Sequence, residues 1–361
     1  MNQFQRSSGR SLVCQTVARW SRFCTKQACS SLITGWVFSF AIVSCTQSNS
    51  ANLGNLTPAA TQPSQSKSSI VRLGYQKGGM IPLSHQRGEL ERELAAQNIK
   101  TEWNGPFDRC ASLLQAIMGD RTDIGGCGDI PSISGLAAGQ PLCIGAVEPP
   151  NPASLENAIL VRGDSTIQKP ADLIGKKAAV NRGGAGEYLL LKVLEKENIP
   201  KDKVERVYLN PSDAAPALYE GNVDAWAVWE PYVSIAQLEH GARRITTTHP
   251  APTYEVLLVR KAAANENPMV VKAALTALSR DTKWFNQNLQ AAATFTVREL
   301  KVSDAVAQQA LKNRGPETVT FPTAVDIANL QKTADWMLEQ KIIPRRVDIA
   351  ASICPSSIAF R

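Results

Sequence analysis

Histidine is scarce in this 361-residue chain: His85, His240 and His249 are the only three, and they lie too far apart to share a metal-ligand spacing. The eight cysteines contain no C-x-x-C pair. No G-x-x-x-x-G-K-[ST] cradle occurs, and no G-x-G-x-x-G is followed by a ribose-binding acid at the right distance. A G-x-S-x-G nucleophile elbow is missing too. These absences leave enzyme chemistry unsupported, and no catalytic residue, metal site or cofactor is assigned. No apolar run reaches the roughly 20 residues that a membrane-spanning helix needs.

What is present begins at the N-terminus. Residues 1–44 carry Arg6, Arg10, Arg19, Arg22 and Lys26 and no acidic residue. An apolar run from Leu32 to Val43 follows, then Ser44-Cys45. A basic region, a short apolar stretch and a small residue before a cut site form an export signal. Ile42-Val43-Ser44-Cys45 resembles the lipobox of bacterial lipoproteins, which implies a lipid on Cys45. Without the leader, 34 basic residues face 32 acidic ones. The net charge of +7 therefore belongs largely to the leader, and no basic stripe remains to suggest nucleic-acid binding. Residues 46–69 are small and polar with a single charge. Such a segment does not fold, and as a coil it spans about 27 Å, a suitable tether.

Four cysteines remain in the body, Cys110, Cys127, Cys143 and Cys354. They read as ordinary packing or surface positions, with a disulfide at Cys110 or Cys127 open in an oxidising compartment. From Ile70 onward, strand-like and helical stretches alternate. A helix is expected over Leu83–Asn98 and another from Pro131, and four helical stretches near 266–286, 289–300, 303–313 and 323–340 close the chain. Alternation of this kind indicates α/β units with mostly parallel sheets. Three glycine turns follow strands: Gly74–Gly79, Gly125–Pro131 and Asn181–Gly186. Ligands bind beyond the carboxyl ends of such strands, and a glycine turn leading into a helix suits an anion. The plainer alternative is that these glycines only make tight turns.

Several segments carry a resemblance: GYQKG (74–78), GDIP (128–131), KVLEKENI (192–199), GNVDAWAVWEPY (221–232) and ADWMLEQKIIPRRVDI (334–349). Together they resemble the substrate-binding components of ABC importers for aliphatic sulfonates, related to those for taurine and nitrate. The resemblance implies an α/β fold of the type II periplasmic-binding-protein kind. Each of its two lobes holds a mixed, mostly parallel sheet flanked by helices, and the C-terminal helices sit on lobe one. With the export signal over 1–44 and the lipid-anchored linker over 45–70 read from the residues, it implies lobe one from 71–157 and 258–361, and lobe two over 158–257 with the crossover strands. The function implied is extracytoplasmic capture of an aliphatic sulfonate for sulfur uptake, by hinge closure. The protein would be a monomer, anchored at a membrane in the periplasm or on the cell surface, handing its ligand to an importer permease.

Carried onto this chain, the resemblance places Gln76, Gly78, Cys127, Gly128 and Asp129 on the cleft from lobe one, and Gly183, Gly184, Ala185, Trp229 and Glu230 from lobe two. Two departures stand out. Cys127 replaces a hydroxyl common in relatives, and the 183–186 loop lacks their serines. Arg182 reads first as a solvated surface residue, with a contact to the ligand as the alternative. Alternation along a strand puts Trp226 and Trp229 on opposite faces, making Trp226 core and leaving Trp229 either cleft wall or core. Another small solute (taurine, nitrate or a pyrimidine), or an enzyme on the same fold, is the alternative reading.

Overall fold

The computed structural model describes residues 69–246 and 253–360. The export leader, Cys45 and the linker up to residue 68 lie outside the described residues. The last two residues assigned to the linker, Ser69 and Ile70, instead open the first strand.

The first series of elements runs β1 (Ser69–Gln76), α1 (Ile81–Arg87), α2 (Glu89–Ala95), β2 (Ile99–Phe107), α3 (Cys110–Met118), β3 (Ile124–Gly128), α4 (Asp129–Ala137) and β4 (Leu142–Glu148). The single helix expected over 83–98 is two helices, because Gly88 adopts φ 69° between them, a left-handed geometry that ends a helix. The second series is β5 (Asn157–Val161), β6 (Lys177–Val180), α5 (Ala185–Lys196), β7 (Glu205–Tyr208), α6 (Pro211–Tyr219), β8 (Ala225–Trp229), α7 (Tyr232–His240) and β9 (Arg243–Arg244). Then come β10 (Glu255–Arg260), α8 (Lys261–Glu266), α9 (Pro268–Gln287), α10 (Leu289–Leu300), α11 (Asp304–Arg314) and α12 (Ala324–Glu339). Thr323 and Asp326 form a reciprocal cap at the start of α12, with Thr323 N–H donating to the Asp326 carboxylate at 2.8 Å.

Two five-stranded sheets result, ordered β2-β1-β3-β10-β4 and β7-β6-β8-β5-β9. In each, a parallel core is joined by an antiparallel strand that arrives from elsewhere in the chain. Strands β4 and β5 are buried along their whole length, as continuous apolar runs must be when both faces of a sheet are covered. The pairing corrects both edges of the expected lobe boundary. Residues 255–257, assigned to lobe two, pair with Gly128–Gly126 and Glu148–Ala146 of the first sheet. Asn157, assigned to lobe one, pairs with Trp229 in the second.

The cysteines are also corrected. Cys110 is bonded to Cys127, and Cys143 to Cys354, so none of the four is merely packed. Cys143 lies on β4, where the backbone bridge between Ile144 and Ile353 brings the C-terminal segment alongside. Behind the two sheets one apolar cluster runs without a break from Ile130 and Ile133 of α4 to Leu189 and Leu190 of α5. Trp336 of α12 packs edge-on against Tyr188 of α5.

Candidate functional site

A cavity of about 500 Å³ lies between the sheets, at the carboxyl ends of β1, β3, β6, β7 and β8. The first sheet contributes Gln76 and Gly78 after β1, Arg109 before α3, and Gly128 after β3. Gln76 is held by its side-chain amide, which donates to the Gly126 carbonyl at 2.8 Å. The second sheet contributes Arg182, Gly183, Gly184 and Ala185 ahead of α5, Tyr208 at the end of β7, and Trp229 at the end of β8. Trp226 is 2% exposed and lies in the core of the second sheet, on the opposite face as the alternation predicts. Trp229 takes the cavity wall, edge-on to Tyr232.

The loop before α5 is built to turn sharply. Gly183 sits at φ 63°, a conformation that favours glycine, and its N–H donates to Glu187 Oε2 at 2.7 Å. Gly186 lets α5 lie directly on β8, because a Cβ there would collide with the Ala227 carbonyl oxygen. Gly184 caps α5 without a side-chain acceptor, and the Ala185 N–H, the first of the helix, has no acceptor among the described residues. Arg182 stacks its guanidinium 3.6 Å above the Tyr208 ring at the cavity edge. It is exposed, as expected for a surface arginine, yet it also borders the cavity. On the facing lobe Arg109 donates to Asn210 Oδ1 at 3.0 Å across the gap. A helix N-terminus flanked by two arginines is a seat for an anion.

The turn after β3 is different. Gly128 borders the cavity, but its φ is −58°, which any L-residue can adopt, and an added Cβ would meet only Pro131 Cδ at 3.9 Å. Its neighbours do not border the cavity. Cys127 is fully buried because its sulfur is bonded to Cys110. The Asp129 carboxylate turns back to accept from Ile130 N–H at 2.8 Å and Tyr254 N–H at 3.2 Å, and burial pushes its pKa up to about 7. The Asp129 N–H is itself spent on the Tyr254 carbonyl. The placement of Cys127 and Asp129 on the cleft is therefore corrected. Glu230 does border the cavity, but its carboxylate is occupied: it accepts from Ser234 N–H and Oγ–H and from Asn313 Nδ2 at 2.5 Å.

A second group on the wall carries no motif. Glu148, Glu156, Glu255 and Glu317 surround Arg314, whose Nε lies 2.6 Å from Glu317 and 3.7 Å from Glu156. Burial opposes the charge on Arg314, but the carboxylates outweigh it and hold the guanidinium more basic than usual. Burial in turn pushes Glu156 up to about 6 and Glu255 up to about 8, and raises Glu148 well above the carboxylate range. Arg314 lowers all three, though not enough to cancel the burial.

Comparison with known proteins gives a consistent picture. The NMT1/THI5-like family matches residues 120–292. A protein of Escherichia coli (strain K12) named as an aliphatic sulfonates-binding protein is 33% identical over 294 residues, 80% of this chain and 90% of that one. Two solved structures superpose on the body. The alkanesulfonate-binding protein SsuA of Xanthomonas axonopodis pv. citri, bound to MOPS, gives a TM-score of 0.74 at 29% identity, covering 79% of this chain and 98% of that one. The periplasmic aliphatic sulphonate-binding protein SsuA of Escherichia coli gives 0.70 at 31%, covering 80% and 99%.

Proposed function

The chain belongs to the family of aliphatic sulfonate-binding proteins, and from that premise we propose that it captures a sulfonate in the periplasm for an ABC importer. The observation that carries this reading is the start of α5, where Ala185, whose N–H has no acceptor among the described residues, lines a cavity that Arg182 and Arg109 also border. A sulfonate is a permanent anion with three acceptor oxygens. Each charge-assisted hydrogen bond contributes roughly 1.5–3 kcal/mol, so three or four suffice for a micromolar site near −8 kcal/mol. Gln76, Gly78 and Gly128 would close on the ligand from lobe one, and Gly183, Gly184, Ala185 and Trp229 from lobe two. Glu230 would act at one remove, tying α7 to α11. A reaction that needs a free thiol is disfavoured, because all four described cysteines are tied in disulfides.

The test is calorimetric titration with alkanesulfonates of increasing chain length. Trp229 is the wall for the organic part, so Trp229→Ala removes apolar burial at about 25 cal/mol per Å². It is expected to weaken octanesulfonate about tenfold and ethanesulfonate at most about twofold to threefold. Trp226→Ala should lower stability by about 3–5 kcal/mol with no change in preference. Equal losses along the series for Trp229→Ala would take that ring out of the binding wall. Failure of every sulfonate to bind the wild type would sink the functional reading.

Export and anchoring rest on the leader pattern and on Cys45. Cys45→Ala should release the protein from membranes while the isolated body still binds ligand. An acyl mass absent from the wild-type protein, with unchanged fractionation of the variant, would remove the lipid.

A further inference from the structure

Of the arginines that border the cavity, Arg109 and Arg182 lie apart in the chain from Arg314, which is set among four glutamates. Arg109 is tied to Asn210 and Arg182 to the Tyr208 ring, both beside the anion seat. Glu148, Glu156, Glu255 and Glu317 gather instead where β4 ends, β10 begins and α11 stops. Glu148 and Glu255 are direct cross-strand partners, so their side chains leave the sheet on one face, and like charges placed this way destabilise a sheet. Of the cavity's cations, Arg314 is the one that bears on them, and its own contacts are spent on Glu317 and Glu156. Glu148 is 7% exposed and borders the cavity, and its carboxyl makes neither hydrogen bond nor ion pair among the described residues. An unpartnered carboxyl at that depth costs several kcal/mol if charged. The missing complement is a cation with several donors, and a primary ammonium carries three.

We propose that the cavity selects sulfonates bearing a protonated amine at their far end, with the ammonium seated between Glu148 and Glu255 and the sulfonate at the start of α5. The inference rests on the sulfonate reading and adds to it a specificity-determining pair. Burial raises both carboxyls and favours their protonated forms, with Glu156, Glu317 and, for Glu255, Asp129 adding to the rise and Arg314 opposing it. An arriving ammonium displaces those protons.

Butanesulfonate and aminopropanesulfonate have the same heavy-atom length and differ in a terminal methyl or ammonium. Titrating wild type with each, in buffers of different ionisation enthalpy, should give a preference of at least about tenfold for the amine, with proton release for the amine alone. The double variant Glu148→Gln, Glu255→Gln should bring the ratio to about one and abolish the release. A wild type that prefers butanesulfonate, or binds both with proton uptake, overturns the proposal while leaving the sulfonate reading intact. Proton uptake would mean that the acids serve the anion as protonated donors. Binding of neither ligand sinks the sulfonate reading and the proposal with it. Circular dichroism checks the fold of the double variant, and Glu255→Gln alone carries the test if the pair fails to fold.

Discussion

Replacing Arg314 by methionine is expected to cost about 3–5 kcal/mol of folding stability at pH 8 and much less at pH 5. Arg314 ends α11 and is surrounded by Glu148, Glu156, Glu255 and Glu317. Methionine keeps much of the volume but leaves these carboxyls with no cation among them. The pH dependence follows from the direction of their shifts. Glu156 at about 6, Glu255 at about 8 and Glu148, held well above the carboxylate range, are all raised by burial above the unfolded value near 4.5. Between those limits the folded chain holds more protons than the unfolded one, so stability falls as pH rises. Their contribution is fully present below about pH 4.5 and is lost on passing through the folded values. The wild type should therefore already be more stable at pH 5 than at pH 8. Without Arg314 the folded values rise further and the slope steepens. Urea denaturation of both proteins at the two pH values measures this, and equal losses from Arg314→Met at pH 5 and pH 8 would mean that the arginine acts through packing alone.

The second large effect concerns Cys143–Cys354, whose partners are 211 residues apart in sequence. Closing so long a loop removes chain entropy from the unfolded state, worth about 5 kcal/mol in the loop-closure account. Cys110–Cys127 spans only 17 residues and is worth about 3 kcal/mol on the same basis. Replacing Cys143 and Cys354 by serine should thus lower the denaturation midpoint more than replacing Cys110 and Cys127. Cys110–Cys127, however, lies directly behind the Gly128 turn, so its loss should also affect ligand affinity. The reverse order of stabilities would mean that local packing outweighs loop length.

Of the helices in the C-terminal third, α9 to α12 were legible in the sequence as amphipathic stretches, whereas the short α8 was not read, and three of the four carry a start signal of their own. Pro268 opens α9, Ser303 caps α11, and Thr323 with Asp326 caps α12. Trp226 and Trp229 were separable by strand alternation for the same local reason. What the sequence hid depends on pairing across distance. Nothing near Glu148 announces that Glu255 will lie opposite it, because the two meet only when β10 returns between β3 and β4. Each of the four glutamates reads as an ordinary surface acid until Arg314 is found among them. Cys127 was misplaced because its motif marks where the turn lies but not where its sulfur points, which Cys110 decides. Gly88 in a polar stretch gave no warning that it would adopt a left-handed conformation and divide a helix.

The covalent path of the chain has one more consequence. The bond between Cys143 and Cys354 closes a ring that passes through the whole of the second sheet and returns. A protease that cuts once anywhere in that ring leaves the two pieces joined, and they separate in a gel only after reduction. The lobe that carries the second sheet is thus an insertion whose two ends are sewn into the same scaffold. Backbone breaks within it would leave both halves of the first lobe attached to each other.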